Sequence, residues 1–303
     1  MNNEKIELVD ARGGWAPGKL EYKPLFSWPP KPIELIKWLF NYPDGFIFPW
    51  AIIHFSIVLI SYIFFLPSFD KLSTLSFDWI SVIFLRNFII LFVYTSLWHW
   101  YLHIKEGQGD TYRYNLRKLG KGKQWLFGTQ TRENMFFSLF SAVPIQTIYE
   151  SLMLWCFAND YTLFPIKDFF DNSFIFFYCI LLLIFIPILQ HIHFYLIHRL
   201  IHFKPIYDRV HYFHHKNVNV GPWSGLSMHP IEHILYISTI FIHFVVPSHP
   251  IHFIYQGMHT MLGAQKGHSG YERLVVDSKT GKSIPSAGYF HYLHHKYFEC
   301  NYG

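Results

Sequence analysis

Charge is scarce in this chain. Asp, Glu, Lys and Arg make up 15% of its 303 residues, against about a quarter in a soluble globular protein. Cysteine is scarcer still: Cys156, Cys179 and Cys300 lie far apart, which excludes a disulfide framework and a thiolate metal or iron–sulfur site. No GxGxxG dinucleotide fingerprint and no HPGG haem motif is present, so neither kind of cofactor domain is expected within the chain. The residues before Lys31 are polar and carry several prolines. They lack a basic stretch running straight into an apolar segment and cleavage site, so no cleaved signal peptide is expected.

What the chain has instead is apolar sequence, 51% hydrophobic and 20% aromatic. The runs at 47–66, 87–104, 135–157 and 174–198 each approach the length of a membrane-crossing helix. A run at 231–247 is marginal, and 251–264 is short enough to be re-entrant or interfacial. The fold expected is all-α: an integral membrane bundle of four to six helices with a histidine-rich cytoplasmic cap. The net charge of +5 then reports topology, and no nucleic-acid partner is expected. With the N-terminus inside, 22 of the 25 Lys and Arg residues fall in 1–46, 105–134, 198–230 and 265–303, all on the cytoplasmic side, as the positive-inside rule requires. The protein is thus expected to be multi-pass, with its N-terminus and its histidine motifs cytoplasmic. Residues 1–46 read as an interfacial arm, 47–190 as membrane helices of the bundle, and 191–303 as a histidine-rich region.

All but three of the 20 histidines lie after residue 190. Three groups stand out. HRLIH contains His198 and His202, HYFHH contains His211, His214 and His215, and HYLHH contains His291, His294 and His295. Spacings of i, i+3 and i+4 share one helix face, so each group can bring two or three imidazoles into one small volume. A lone histidine in a membrane helix is usually a hydrogen-bonded polar residue facing the bundle. Two HxxHH phrases in one chain are far harder to explain that way. Imidazole suits Fe, Zn, Cu and Ni, and eight imidazoles exceed what one ion can take, so two metals sharing them is the natural arithmetic. A pair of irons in such a setting can use O2 to break an unactivated C–H bond, chemistry that needs a dry, shaped cavity. His99 and His103, also i, i+4, are weaker ligand candidates. His191, two turns below His198 on its face, reads as a pocket residue.

The order HxxxH, HxxHH, HxxHH resembles the histidine boxes of the fatty acid hydroxylase/sterol desaturase superfamily. FYLIHRLIH resembles the first box in its wider context, and HPIEH at 229–233 an HP-x-E element after the second. GHSGYE at 267–272 resembles an element of sterol C4-methyl oxidases, and HHKYFECNYG at 294–303 the ending of the last box in sterol C5-desaturases. The resemblance covers roughly residues 190–303. It implies a membrane oxidoreductase with two Fe ions, acting with O2 on a lipid C–H bond, sterol or fatty-acyl in type, by hydroxylation or desaturation. It implies His198, His202, His211, His214, His215, His268, His291, His294 and His295 as metal ligands. His229 and His233 match the HP-x-E element and become ligand or supporting candidates. Glu232, Glu272 and Asp208 are candidates to accept the free N–H of a ligating imidazole. Asn301 and Tyr302 are expected to orient the last box. The turn-rich segment 217–228, with Trp223 and Ser224, is expected to form a lid over the substrate entrance.

The resemblance also implies an external electron donor of cytochrome b5 or ferredoxin type, for which the basic loop 105–134 offers a dock, although plain positive-inside charge accounts for that loop more simply. Glu150 lies mid-span in the third apolar run, where an ionisable group is expensive and by default functional. A histidine or a substrate hydroxyl is its expected partner, and Arg86 is expected to snorkel to the outer interface. The competing reading is a histidine-rich membrane metal transporter or metal-binding protein, which would place its ligands near the bilayer midplane on broken helices. The resemblance further suggests a short segment beyond Gly303, so the chain is expected to be truncated there.

Overall fold

A computed structural model describes residues 9–10, 13–18, 23–24 and 27–302. The rest of the expected N-terminal arm, and Gly303 of the NYG match, lie outside the described residues. The arm contributes a short helix, α1 (Pro32–Phe40), with Ile33 and Ile36 exposed.

Among the described residues, three helices are long and apolar enough to cross a membrane by length and composition: Ile47–Phe65, Phe77–Ile104 and Ser173–Ile201. The first joins a π-helical turn (Ile47–Ala51) to α2 (Ile52–Phe65). After a single turn, α3 (Phe69–Leu72), the second joins α4 (Phe77–His99) to a π-helical turn (Trp100–Ile104). The third is α7 (Ser173–Ile201), which starts at Asn172, whose side chain accepts the Ile175 N–H at 2.9 Å and so satisfies a donor left over at the helix start. Its 29 residues reach about 43 Å at helical rise, beyond the ~30 Å hydrocarbon core. His198 lies in its last turn. Large side chains on these helices point away from the protein: Phe64, Leu85 and Phe177 are 73%, 57% and 68% exposed, the surface expected of helices in contact with lipid.

Three such helices replace the expected four to six. The run at 135–157 folds as α5 (Gln130–Phe137), a π-helical turn (Ser138–Ala142) and α6 (Val143–Ala158), and it buries Gln146, Thr147, Glu150 and Ser151. Its polar face is spent on packing inside the protein. The run at 231–247 breaks into α10 (Pro230–Ile237) and a 3-10 turn (Ser238–Phe244). Residues 251–264 lie in α11 (Pro250–Gly267), the central helix, which packs on α2, α6 and α7. Ile254, Met258 and Leu262 of α11 are at most 1% exposed. Gln256 and Thr260 of the same helix are also buried and hydrogen-bonded within the bundle, so α11 packs as a core helix along most of its length.

Glu150 and Arg86 meet inside this bundle. One guanidinium nitrogen, Nη2, reaches both carboxylate oxygens of Glu150 at 2.5 Å, and Asn87 Nδ2 donates to Glu150 at 3.2 Å. The two charged side chains are 2% and 0% exposed. Arg86 therefore turns inward to pair with Glu150 instead of snorkelling outward, and Glu150 has Arg86 and Asn87 as partners where a histidine or a substrate hydroxyl was expected. A charge pair this deep holds α4 to α6, because either member alone would be an uncompensated buried charge.

Beyond α7 the chain makes α8 (Lys204–Ile206), a π-helical turn (Tyr207–His211), α9 (Tyr212–His215) and a 3-10 turn (Pro222–Leu226). After α11 comes an antiparallel hairpin, β1 (Arg273–Asp277) with β2 (Lys282–Pro285), and then α12 (Tyr289–Tyr297). The end of α7, α9, the end of α11 and α12 converge at one end of the bundle, and each carries histidines there.

Candidate metal centre

Nine imidazoles gather into two groups. The first holds His198, His202, His211, His215 and His294, the second His214, His268, His291 and His295. Within each group one ring nitrogen per residue lies within 4.8 Å of all the others. All nine residues implied as ligands take part. Each HxxHH phrase turns a pair, one of the two expected outcomes, to one volume. Neither turns its whole triplet to one volume. His211 and His215 go to the first group and His214 to the second, whereas His291 and His295 go to the second and His294 to the first. Each phrase thus gives its i, i+4 pair to one group and its i+3 histidine to the other. The groups share a wall, with the His215 and His295 ring centres 4.9 Å apart.

The nitrogens are placed as ligands of a common ion would be. In the first group Nε2–Nε2 separations are 3.1 Å for His198–His211, 3.0 Å for His211–His215 and 3.0 Å for His215–His294. In the second they are 3.0 Å for His268–His291 and 3.1 Å for His268–His295. An imidazole nitrogen binds a first-row divalent ion at about 2.1 Å, so two at right angles around it stand about 3.0 Å apart.

Proton bookkeeping supports the same fit. A neutral imidazole has one N–H. His198 directs Nδ1 to the Tyr302 carbonyl at 2.8 Å, and His211 directs Nδ1 to Glu232 at 2.8 Å. With their protons used there, their Nε2 atoms face each other as two lone pairs, which a cation between them would reconcile. His294 directs Nδ1 to the Cys300 carbonyl at 2.6 Å, His214 to Ser227 at 3.2 Å and His268 to Ala264 at 2.8 Å. These outer partners fix which nitrogen points inward, as around histidine-bound metals.

Burial holds the rings neutral. It pushes His202, His268 and His294 down to about 4 and His211, His214, His291 and His295 well below the usual imidazole range, with the neighbouring histidines adding to the shift in most of them. Burial also raises the Glu232 carboxyl well above its usual range. Both shifts disfavour charge at the close His211–Glu232 contact.

Local structure explains the placement. The 3-10 turn presents the Ser227 carbonyl to His214, and Gly225 in it lies directly on α11: a Cβ there would come 2.4 Å from the Ala264 carbonyl, the same oxygen that His268 uses. Trp223 is 2% exposed and packs against Phe92. Residues 221–228 are wholly buried, so this stretch is a wedge in the core in place of the expected lid. After α12 the chain turns at Phe298 and Asn301, with φ of 65° and 53°, and brings Cys300 and Tyr302 back over the first group. The Tyr302 ring lies 4.7 Å from that of His202, under the Arg199 guanidinium at 4.6 Å.

Other candidates sit elsewhere. His229 caps α10 and accepts from the Ile231 N–H at 3.2 Å. His233 bonds Ser141 and the Leu226 carbonyl. Glu272 accepts from the Tyr114 hydroxyl at 2.5 Å, and Asp208 pairs with Lys204 at the surface. None of these four hydrogen-bonds an imidazole of either group; of the acidic candidates only Glu232 does. His103 bonds the Ser269 carbonyl beside His268 but, like His99, lies outside both groups. The orienting carbonyls of Ser227, Ala264 and Cys300 were missed by sequence reasoning, since a backbone oxygen leaves no residue-type signal.

The fold and site define a helical protein with three membrane-length apolar helices and two histidine groups of metal-binding geometry. The fatty acid hydroxylase family model matches residues 180–303, so the resemblance to the fatty acid hydroxylase/sterol desaturase superfamily holds for this part of the chain. A Delta(7)-sterol 5(6)-desaturase of Gibberella zeae is 31% identical over 112 residues, which cover 36% of this chain and 33% of that relative. The match thus spans about a third of the relative's length. No solved structure matches.

Proposed function

We propose that the protein is an O2-dependent, di-iron membrane oxidoreductase that hydroxylates or desaturates a lipid C–H bond. The observation that carries this reading is the nine-imidazole centre, split five and four, within a region similar to fatty acid hydroxylases. All-imidazole donors suit iron among other ions. Two irons held there would supply the oxidising chemistry when reduced in the presence of O2. The chain's own residues do the rest. The carbonyls of Tyr302, Cys300, Ser227 and Ala264 and the carboxyl of Glu232 keep the Nδ1 protons of His198, His294, His214, His268 and His211 outward and their Nε2 atoms inward. Burial of both groups excludes bulk water from the reaction. The substrate is a lipid, sterol or fatty-acyl in type, and the electrons come from an external carrier of cytochrome b5 or ferredoxin type. The histidine centre and the N-terminus are read as cytoplasmic, with the chain multi-pass.

The alternative, a metal transporter, is less favoured. Its ion sites belong near the bilayer midplane, whereas these groups gather at the end of α7, a helix longer than the hydrocarbon core is thick. Comparative lipid mass spectrometry of cells with and without the gene tests the proposal. A lipid product should vanish on deletion, return with the wild-type gene and fail to return with His294→Ala. An unchanged lipid profile would count against it.

A further inference from the structure

The half of α11 nearest the histidines is not fully packed. Tyr255 and His259 face α2, through the Ala51 carbonyl and His54. Gln256 and Thr260 face α7, through Gln190. At 100° per residue, Gly263 falls between these two faces, where α2 and α7 would have to meet to close over α11. They do not close there. Among the described residues, nothing beyond the helix's own backbone lies within 4 Å of a Cβ added at Gly263 or at Gly267. Toward the other end of α11, by contrast, His252 bonds the Cys179 carbonyl of α7 and is fully buried. A cleft therefore opens between α2 and α7 toward the metal centre, floored by glycine.

Two further observations say what the cleft is for. On its α7 side, His191 lies one turn before Phe194, whose ring is 5.9 Å from that of His291 in the second histidine group. The cleft is also polar at that end. Lys266 donates to the Ser286 carbonyl at 3.0 Å and keeps accessible surface. It lies within electrostatic reach of His54, His191 and His259. His191 remains accessible, with the Phe46 ring 6.1 Å away. A passage for hydrocarbon alone would have no use for a lysine and imidazoles beside the oxidising centre.

Resting on the proposed function, we propose that this cleft admits the lipid substrate polar end first, with Lys266 binding a head-group oxygen, so that the oxidised carbon lies within a few bonds of the head. Gly263 and Gly267 leave the width for a flat ring system or a chain, and Lys266 fixes the depth of insertion.

Photolabelling of the purified full-length protein tests this with three diazirine probes: a fatty acid, a sterol and an alkane without a head group. At least one of the headed probes should label the peptide spanning residues 259–267 about tenfold more than the alkane does, the ratio one charge-assisted hydrogen bond supports. The stronger of the two identifies the acceptor as carboxylate or hydroxyl. Gly263→Phe, and independently Gly267→Leu, should reduce that labelling about tenfold with metal content and melting temperature unchanged. Lys266→Met should remove the preference for the headed probe, and Lys266→Arg should restore most of it. Labelling that is unaffected by both glycine substitutions, or a head-group preference that survives Lys266→Met, overturns the proposal. If labelling behaves as expected but no lipid is oxidised, the cleft stands and the oxidoreductase reading fails.

Discussion

His211 directs Nδ1 to the carboxyl of Glu232, 2.8 Å away, while its Nε2 faces the centre of the first histidine group. Both side chains are buried, and the second oxygen of Glu232 has no hydrogen-bond partner among the described residues. A buried carboxyl against the outer nitrogen of a ligand imidazole fixes the ring's tautomer and raises its basicity as a metal arrives. Glu232→Gln keeps the shape but loses the anion and can offer an N–H where an acceptor is needed. Metal affinity at the first group should fall by about ten- to a hundredfold, measurable by competition with a chelator, with little change in fold.

The division of the histidine phrases makes a prediction about adjacent residues. His214 and His215 are neighbours in sequence but belong to different groups. His215→Ala should deplete the metal of the first group and His214→Ala that of the second, each leaving the other half of the metal in place. Elemental analysis together with a spectroscopic signature of each site distinguishes the two. Identical loss of both metals from either variant would contradict the division.

Arg86 and Glu150 should behave as a unit. Replacing Arg86 by Met leaves a buried carboxylate unpaired and should cost about 3–5 kcal/mol, as should removing Glu150 alone. Arg86→Met combined with Glu150→Leu should restore most of the loss. Denaturation of the four proteins in detergent gives the coupling directly.

The fold and centre were legible in the sequence to different depths. The i, i+3, i+4 spacing already grouped the eight box histidines that the structure brings together, and the HSGY element added His268. Their division into five and four was not legible, because it depends on how α7, α9, α11 and α12 converge. The run at 135–157 looked like a span by hydropathy, but Gln146, Thr147 and Glu150 turn inward in α6, and only packing reveals which way a polar face points. Glu150 stood out as a buried charge in sequence; that Arg86, 64 residues earlier, was its partner did not. The orienting carbonyls of Ser227, Ala264 and Cys300 belong to residue types that announce nothing, and Tyr302, expected to orient the last box, turns its carbonyl to His198 of the first.

Acid should weaken the metal-free protein in a defined window. His202, His268 and His294 are held down to about 4 against an ordinary 6.5. As pH falls through 6.5 the unfolded chain takes up protons that the folded chain refuses until about 4, so stability is full above that window and lost within it. Melting temperature against pH on metal-stripped protein should show this fall. A flat profile across the window would argue against neutral, buried imidazoles.

The most direct measurement combines metal content with turnover. Protein purified with its lipids should contain about two irons per chain, the number its two histidine groups can hold. On addition of a reductant it should consume O2 and yield a hydroxylated or desaturated lipid, with no product when O2 or reductant is withheld. Protein that binds two zincs, carries them across a vesicle membrane and oxidises no lipid would contradict the account.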